Sequence, residues 1–166
     1  MKTQEYIYNL INHRLICNDY VRKLDCASTK QDIFRVLCDI NGIEFMMEMM
    51  SKNHILPWED FKKDFANYIN GKNVVKYPQG YTSCIYVNWN DIITAETTVI
   101  GVFISNCDIV IPKNTYPRII LSPNSHARIS MTDTSCRVAL DVWDNATYSI
   151  SGDMSKVRIN NHRNIQ

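Results

Sequence analysis

The chain carries no catalytic signature. It has no G-x-G-x-x-G, no Walker loop and no G-x-S-x-G. His13, His54, His126 and His162 are scattered, with no H-x-x-x-H, no H-E-x-x-H and no cysteine at metal-ligand spacing, so neither a metal nor a cofactor is expected. Charge of one sign is also missing: 18 Lys plus Arg stand against 17 Asp plus Glu. The balance holds in each half, with 10 basic and 10 acidic residues in 1–74, then 8 and 7 in 75–166. No net field therefore recruits nucleic acid or an anionic membrane, and a DNA mimic would be far more acidic. No apolar run approaches the roughly 20 residues that span a bilayer. The opening MKTQEYIYNLINHRL is polar and aromatic, unlike a signal peptide. The six cysteines include no C-x-x-C pair and read as buried thiols of a reducing compartment.

What is present falls into two halves, 1–74 and 75–166. The first has helical spacing: Ile33, Val36, Leu37 and Ile40 fall at i, i+3, i+4, i+7, as do Ile43, Met46, Met47 and Met50. Ser28-Thr29-Lys30-Gln31 fits a capping box, and Asn41-Gly42 fits a break between two helices. A further helix opens near Pro57, carries Trp58, Phe61, Phe65, Tyr68 and Ile69, and stops at Asn70-Gly71. A first helix over about 3–25 is less regular, with Ile7, Leu10, Ile11, Cys17, Val21 and Leu24 on one flank. The spacing predicts a bundle of three or four helices, with the methionine cluster as core.

The second half carries the strongest signal, a repeat. The runs DIVI (108–111), RIIL (118–121), RISM (128–131), RVAL (137–140), TYSI (147–150) and KVRI (156–159) follow one another at steps of 10, 10, 9, 10 and 9. Their second and fourth columns are apolar almost throughout, as one face of an alternating strand requires. The residue before each block is small or compact: Cys107, Pro117, Ala127, Cys136, Ala146 and Ser155. Asn114, Asn124, Asp133, Asn145 and Asp153 lie between blocks, where turns are expected. A β-solenoid with two blocks per rung fits best, since Asn-Gly hairpin chemistry is scarce; an antiparallel β-sandwich is the alternative. The fold class is thus α+β, a helical bundle over 1–74 followed by a short solenoid over 75–166. About three rungs are expected, with the helices covering one end and the tail NNHRNIQ, or self-association, protecting the other.

Two features invite chemistry. Asp141 and Asp144 form the best carboxylate pair, but a glycosidic mechanism needs a long groove around carboxylates roughly 5–9 Å apart. Turn and surface roles suit them better, and no enzyme is expected. The outward column is richer in cations, with Arg118, Arg128, Arg137 and Lys156 among its six members. These four are the candidate partner-binding residues, for protein carboxylates or, less well, for single-stranded nucleic acid, which would also want exposed aromatics.

The block CRVALDVWDNATYSI resembles the V-x-V-x-D-N-A-x-V rungs of small β-solenoid proteins encoded by phages and prophages. STKQDIFRVLCDINGIEF, with NYINGK and GYTSCIY after it, is similar to the helical leader of uncharacterised phage-associated proteins of gut bacteria. Bactofilin-type solenoid polymers are a weaker likeness. The resemblance implies a phage or mobile-element provenance and a solenoid fold, and the expectation that goes with it is a non-enzymatic accessory protein in the bacterial cytoplasm. Such a protein would bind and inhibit a host defence factor, or else serve as an assembly part of a virion. It implies no functional residues.

Overall fold

The computed structural model describes Glu5 and residues 18–52 and 58–163. Most of the helix expected over 3–25 and the expected helix start at Pro57 lie outside the described residues. Four helices are seen: α1 (Asn18–Asp25), α2 (Lys30–Cys38), α3 (Ile40–Ser51) and α4 (Trp58–Asp64). Ten strands follow: β1 (Val75–Lys76), β2 (Thr82–Val87), β3 (Ile92–Thr94), β4 (Val99–Phe103), β5 (Asn106–Ile111), β6 (Arg118–Leu121), β7 (His126–Met131), β8 (Val138–Trp143), β9 (Thr147–Ser151) and β10 (Val157–His162).

The strands form a β-solenoid of about four turns. From β2 on, consecutive strands alternate between a six-stranded sheet, β1-β2-β4-β6-β8-β10, and a four-stranded sheet, β3-β5-β7-β9. Every neighbouring pair is parallel except β1 with β2, which overturns the sandwich alternative. Parallel pairing follows from the short strands, because each chain segment must pass through the opposite sheet before returning beside itself. Like residues then stack as ladders between the sheets: Cys84, Ile100, Ile119, Leu140 and Ile159 in one, Ile93, Ile109, Ile129 and Ile150 in the other.

Two details of the repeat differ from the sequence reading. The coil starts at Thr82 and so exceeds three rungs. Its first step in each sheet, Ser83 to Val99 and Ile92 to Asp108, is only 16 residues, against 19 to 21 afterwards, which hid it. The alignment of Leu121 with Leu140 is also off by two, since Leu121 pairs with Val142 and Ile119 with Leu140. A slip of two keeps every side chain on its own face, so the buried columns were right although the register was not.

One corner of the coil repeats a single backbone device. Asn88, Ile104, Asn124 and Asp144, one per turn, hold φ of 51°, 47°, 62° and 47°. Asn tolerates this left-handed region; a β-branched residue such as Ile104 is strained in it. Asn114 is left-handed at the opposite corner. Inside the first corner, buried Ser105, Ser122 and Ser125 supply hydroxyls to neighbouring backbone amides, as Ser122 Oγ does for Ile104 N–H at 3.0 Å. Between rungs, the Asn145 carboxamide accepts from Asn124 N–H at 2.8 Å and donates to Asn124 Oδ1 at 2.6 Å.

The helices lie over the outer face of the six-stranded sheet. The edge of β2 is covered by the antiparallel β1 and by Asn70 of the helical half, which donates its N–H to Ile85 O at 2.8 Å and accepts from Val87 N–H at 2.8 Å. Phe34, Leu37, Met46, Met47, Phe61 and Phe65 share one core cluster with Ile85, Val87, Val99, Phe103 and Ile120. The helical apolar faces are thus completed by the sheet rather than by a bundle closed on itself. Met46, Met47 and Met49 are buried core, as expected.

Two glycines permit this closeness. A Cβ on Gly42 would lie 2.4 Å from Val36 O and 2.7 Å from Leu37 O, so α2 and α3 meet at that point. One on Gly101 would lie 3.0 Å from Ile85 and 3.1 Å from Ile43, where α3 presses on the sheet. Gly42 therefore sits inside the first turn of α3. The break expected at Asn41-Gly42 falls at Asp39, whose carboxylate accepts from Asn41 N–H at 3.0 Å.

The capping box of α2 is likewise one residue later than expected, using Thr29 and Asp32, because an aspartate at the third position reaches back to the Thr29 amide at 3.1 Å. Carbonyls at the end of α2 accept from hydroxyls: Arg35 O, already bonded by the Asp39 N–H, from Tyr77 at 2.7 Å, and Cys38 O from Ser83 at 2.5 Å. α4 ends at Asp64, short of the stop expected at Asn70-Gly71; turns continue from there to Asn70 and Gly71, which take left-handed conformations.

Candidate functional site

The outward face of the six-stranded sheet changes character along the stack. Ile85 and Gly101 lead to Ile120, and Ile120 pairs with Asp141, which pairs with Asn160. Asp141 is the centre of a polar seam. Its side chain is 1% exposed and accepts from Arg118 Nε at 2.6 Å, His162 Nε2 at 2.9 Å and Asn160 Nδ2 at 3.1 Å. Arg118 also reaches Glu44 on α3 at 2.6 Å, which ties the helices to the coil. Burial opposes ionisation of Asp141. The hydrogen bonds from Arg118, His162 and Asn160, and the Arg118 charge, outweigh it and hold the carboxyl below its usual range. His162 stacks flat on Trp143, with centroids 4.4 Å apart. Ser51 at the end of α3 donates to the Asp144 carboxylate.

Asp141 is therefore a buried structural carboxylate, which the surface reading of the sequence missed. A charge in a strand that carries apolar residues at its alternate positions was the available hint. Among the described residues no group of His, Cys, Asp and Glu is arranged to hold a metal ion. No described helix is long and apolar enough to cross a membrane. Cys38, Cys84, Cys107 and Cys136 are buried free thiols and Cys26 is an exposed one. Burial pushes Cys84 and Cys107 up to about 11, so these thiols stay neutral and unreactive.

The four cations singled out in the sequence do not form one surface. Arg118 is committed to the seam. Arg128 lies on the outer face of the four-stranded sheet, paired with Asp108 and donating to Asn106 Oδ1 at 3.1 Å. Arg137 is exposed at a corner, with its guanidinium 5.8 Å from the Tyr116 ring centroid. Lys156 follows in a short 3-10 turn, Met154–Lys156, whose Asp153 cap accepts from Ser155 N–H at 3.0 Å.

Arg137 and Lys156 do meet. They line one cavity of about 340 Å³ with Ser155, Val157 and Arg158. A second cavity, of about 360 Å³, lies between Val142, Asp144, Tyr148, Asn161 and Arg163. Both open at the C-terminal end of the coil. Arg158 and Arg163 were not among the expected binding residues, although a count of cations toward the end of the repeat would have found them.

Among the described residues, that end is less fully covered than the rest of the coil. Ile109, Ile119 and Ile129 are at most 1% exposed, whereas their column partners Tyr148, Ile150, Val157 and Ile159 are only partly buried and Met154 is 52% exposed. Among the described residues β9 and β10 each pair on one edge only. Capping by the end of the tail concerns 164–166, which lie outside the described residues. Comparison with family models, curated proteins and solved structures finds no match to this chain.

Proposed function

We propose that this chain is a non-enzymatic binding protein that docks another protein on the C-terminal end of its solenoid. The observation that carries the reading is the last rung, where the apolar ladders run on to Val157 and Ile159 beside strand edges that have no neighbour among the described residues. A strand laid there would satisfy the edge N–H and C=O groups and bury the ladder ends in one step. Nucleic acid offers no such backbone pattern.

End-to-end assembly of copies fits less well. Head-to-tail stacking would have to displace β1 from the other end, and two C-terminal ends would bring Lys156, Arg158 and Arg163 against themselves. Taken with the resemblance, the reading extends to a phage or mobile-element accessory protein whose partner is a host factor.

The test is selection of a random peptide library on the full chain and on a Val157→Thr/Ile159→Thr variant, which keeps strand propensity but removes the apolar ends. Peptides that bind the first and bind the second on the order of tenfold more weakly support the reading. Failure to select any, or equal binding to both, overturns it. Sedimentation of a discrete monomer or dimer at high concentration is the expected companion result; open-ended polymers would favour assembly instead.

A further inference from the structure

We infer that the segment docking on the last rung is an acidic extended strand, added beside β10 and read by the cationic corner of Arg137, Lys156 and Arg158. The inference rests on the proposed docking end and names its partner's chemistry. Three cations line the corner cavity from which β10 begins, and Arg163 stands at the strand's far end. None of Arg137, Arg158 and Arg163 is in an ion pair with a carboxylate among the described residues. Asp153 is the nearest acid in sequence to Arg158 and Arg163; the Ser155 hydroxyl and amide, with Lys156 nearby, hold its carboxyl below the usual range.

The faces of β10 divide the work. Val157 and Ile159 continue the inner ladders, while Arg158, Asn160 and His162 point outward. Asn160 and His162 are already spent on Asp141, which leaves Arg158 as the outward group without an acid. A new strand in register therefore meets apolar positions and a cation in alternation. Its complement is an apolar residue alternating with Asp or Glu, since opposite charges directly across neighbouring strands attract. Guanidinium groups at Arg137 and Arg158 suit carboxylates in paired geometry. An isolated copy of this chain's own end presents the opposite, a net basic edge.

Sequencing the selected peptides tests this directly. Asp and Glu are expected at alternate positions, with apolar residues between. A charge-reversed variant, Arg137→Glu/Lys156→Glu/Arg158→Glu, alters exposed or half-exposed side chains only. It should bind those peptides at least about tenfold more weakly at low salt, and should itself select basic ones. Peptides without acidic enrichment, or insensitive to the reversal yet lost in the Val157→Thr/Ile159→Thr variant, would overturn the acidic partner while leaving the docking end intact. Labelled oligodeoxythymidylate is the competing probe: if it displaces the peptides and its own binding falls with the same reversal, the corner reads phosphates and the inference fails. An unchanged melting temperature confirms that the variants fold.

Discussion

The two sheets of the coil receive the same kind of sequence and use it differently. RIIL in β6 and RIS in β7 begin alike, and in both strands the isoleucine after the arginine is buried. Arg118 and Arg128 both project outward. Arg118 meets the helices there: it bridges a nearly inaccessible Asp141 and Glu44 of α3. Arg128 meets solvent, and its pair with Asp108 is about half exposed on both sides. The motif fixes direction, and the neighbour decides what the arginine is worth. A charge whose partner is sealed from water cannot be released cheaply, whereas an exposed pair exchanges one set of hydrogen bonds for another.

The strongest way to break this contrast is to unseat the covering helices. Gly42→Ala places a methyl against two main-chain carbonyls that have no room to move, and it should cost more than about 3 kcal/mol in urea unfolding. A wild-type midpoint would refute the close approach of α2 and α3. Next comes the pair itself. Arg118→Met should cost about 2–4 kcal/mol by leaving Asp141 buried without its main partner, and Arg128→Met less than about 0.5 kcal/mol. Equal losses would erase the distinction between the sheets.

Acid sharpens it further. Because the folded Asp141 carboxyl titrates below its ordinary value, the stability it contributes is complete above the ordinary carboxylate range and is lost as pH falls through the depressed value. Asp141→Asn should therefore flatten the acid limb of the stability profile. Urea midpoints between about pH 2 and pH 6 read the difference. The smallest effect concerns the shared corner. Ile104→Asn should raise stability by roughly 0.5–1 kcal/mol, since Asn88 and Asn124 occupy the same left-handed position in other turns. A loss would mean that the contacts of Ile104 outweigh its strain.

Much of the fold was legible because alternation and helical spacing are local rules. Ile109, Ile119, Ile129 and Leu140 are buried where their columns required, and Asn124 turns the chain. Register was not legible, since shifting Leu121 by two residues preserves every inward side chain. Gly42 looked like a helix terminator because the residue type is shared by caps and by close contacts, and only the neighbour tells them apart. At the candidate site, Arg137 and Lys156 were identified and do line one cavity, while Arg158, outside the cation column, was not.

By itself, the sequence determined a helical segment, a coil of short strands and which residues face inward, because each of these follows from side-chain periodicity along the chain. Tertiary structure alone decided that the helices cover the outer face of one sheet. It also decided that Asp141 is sealed while Asp108 is wet, and that three cations converge beside the last described rung. Those outcomes depend on distances between residues far apart in the chain, which no local pattern encodes.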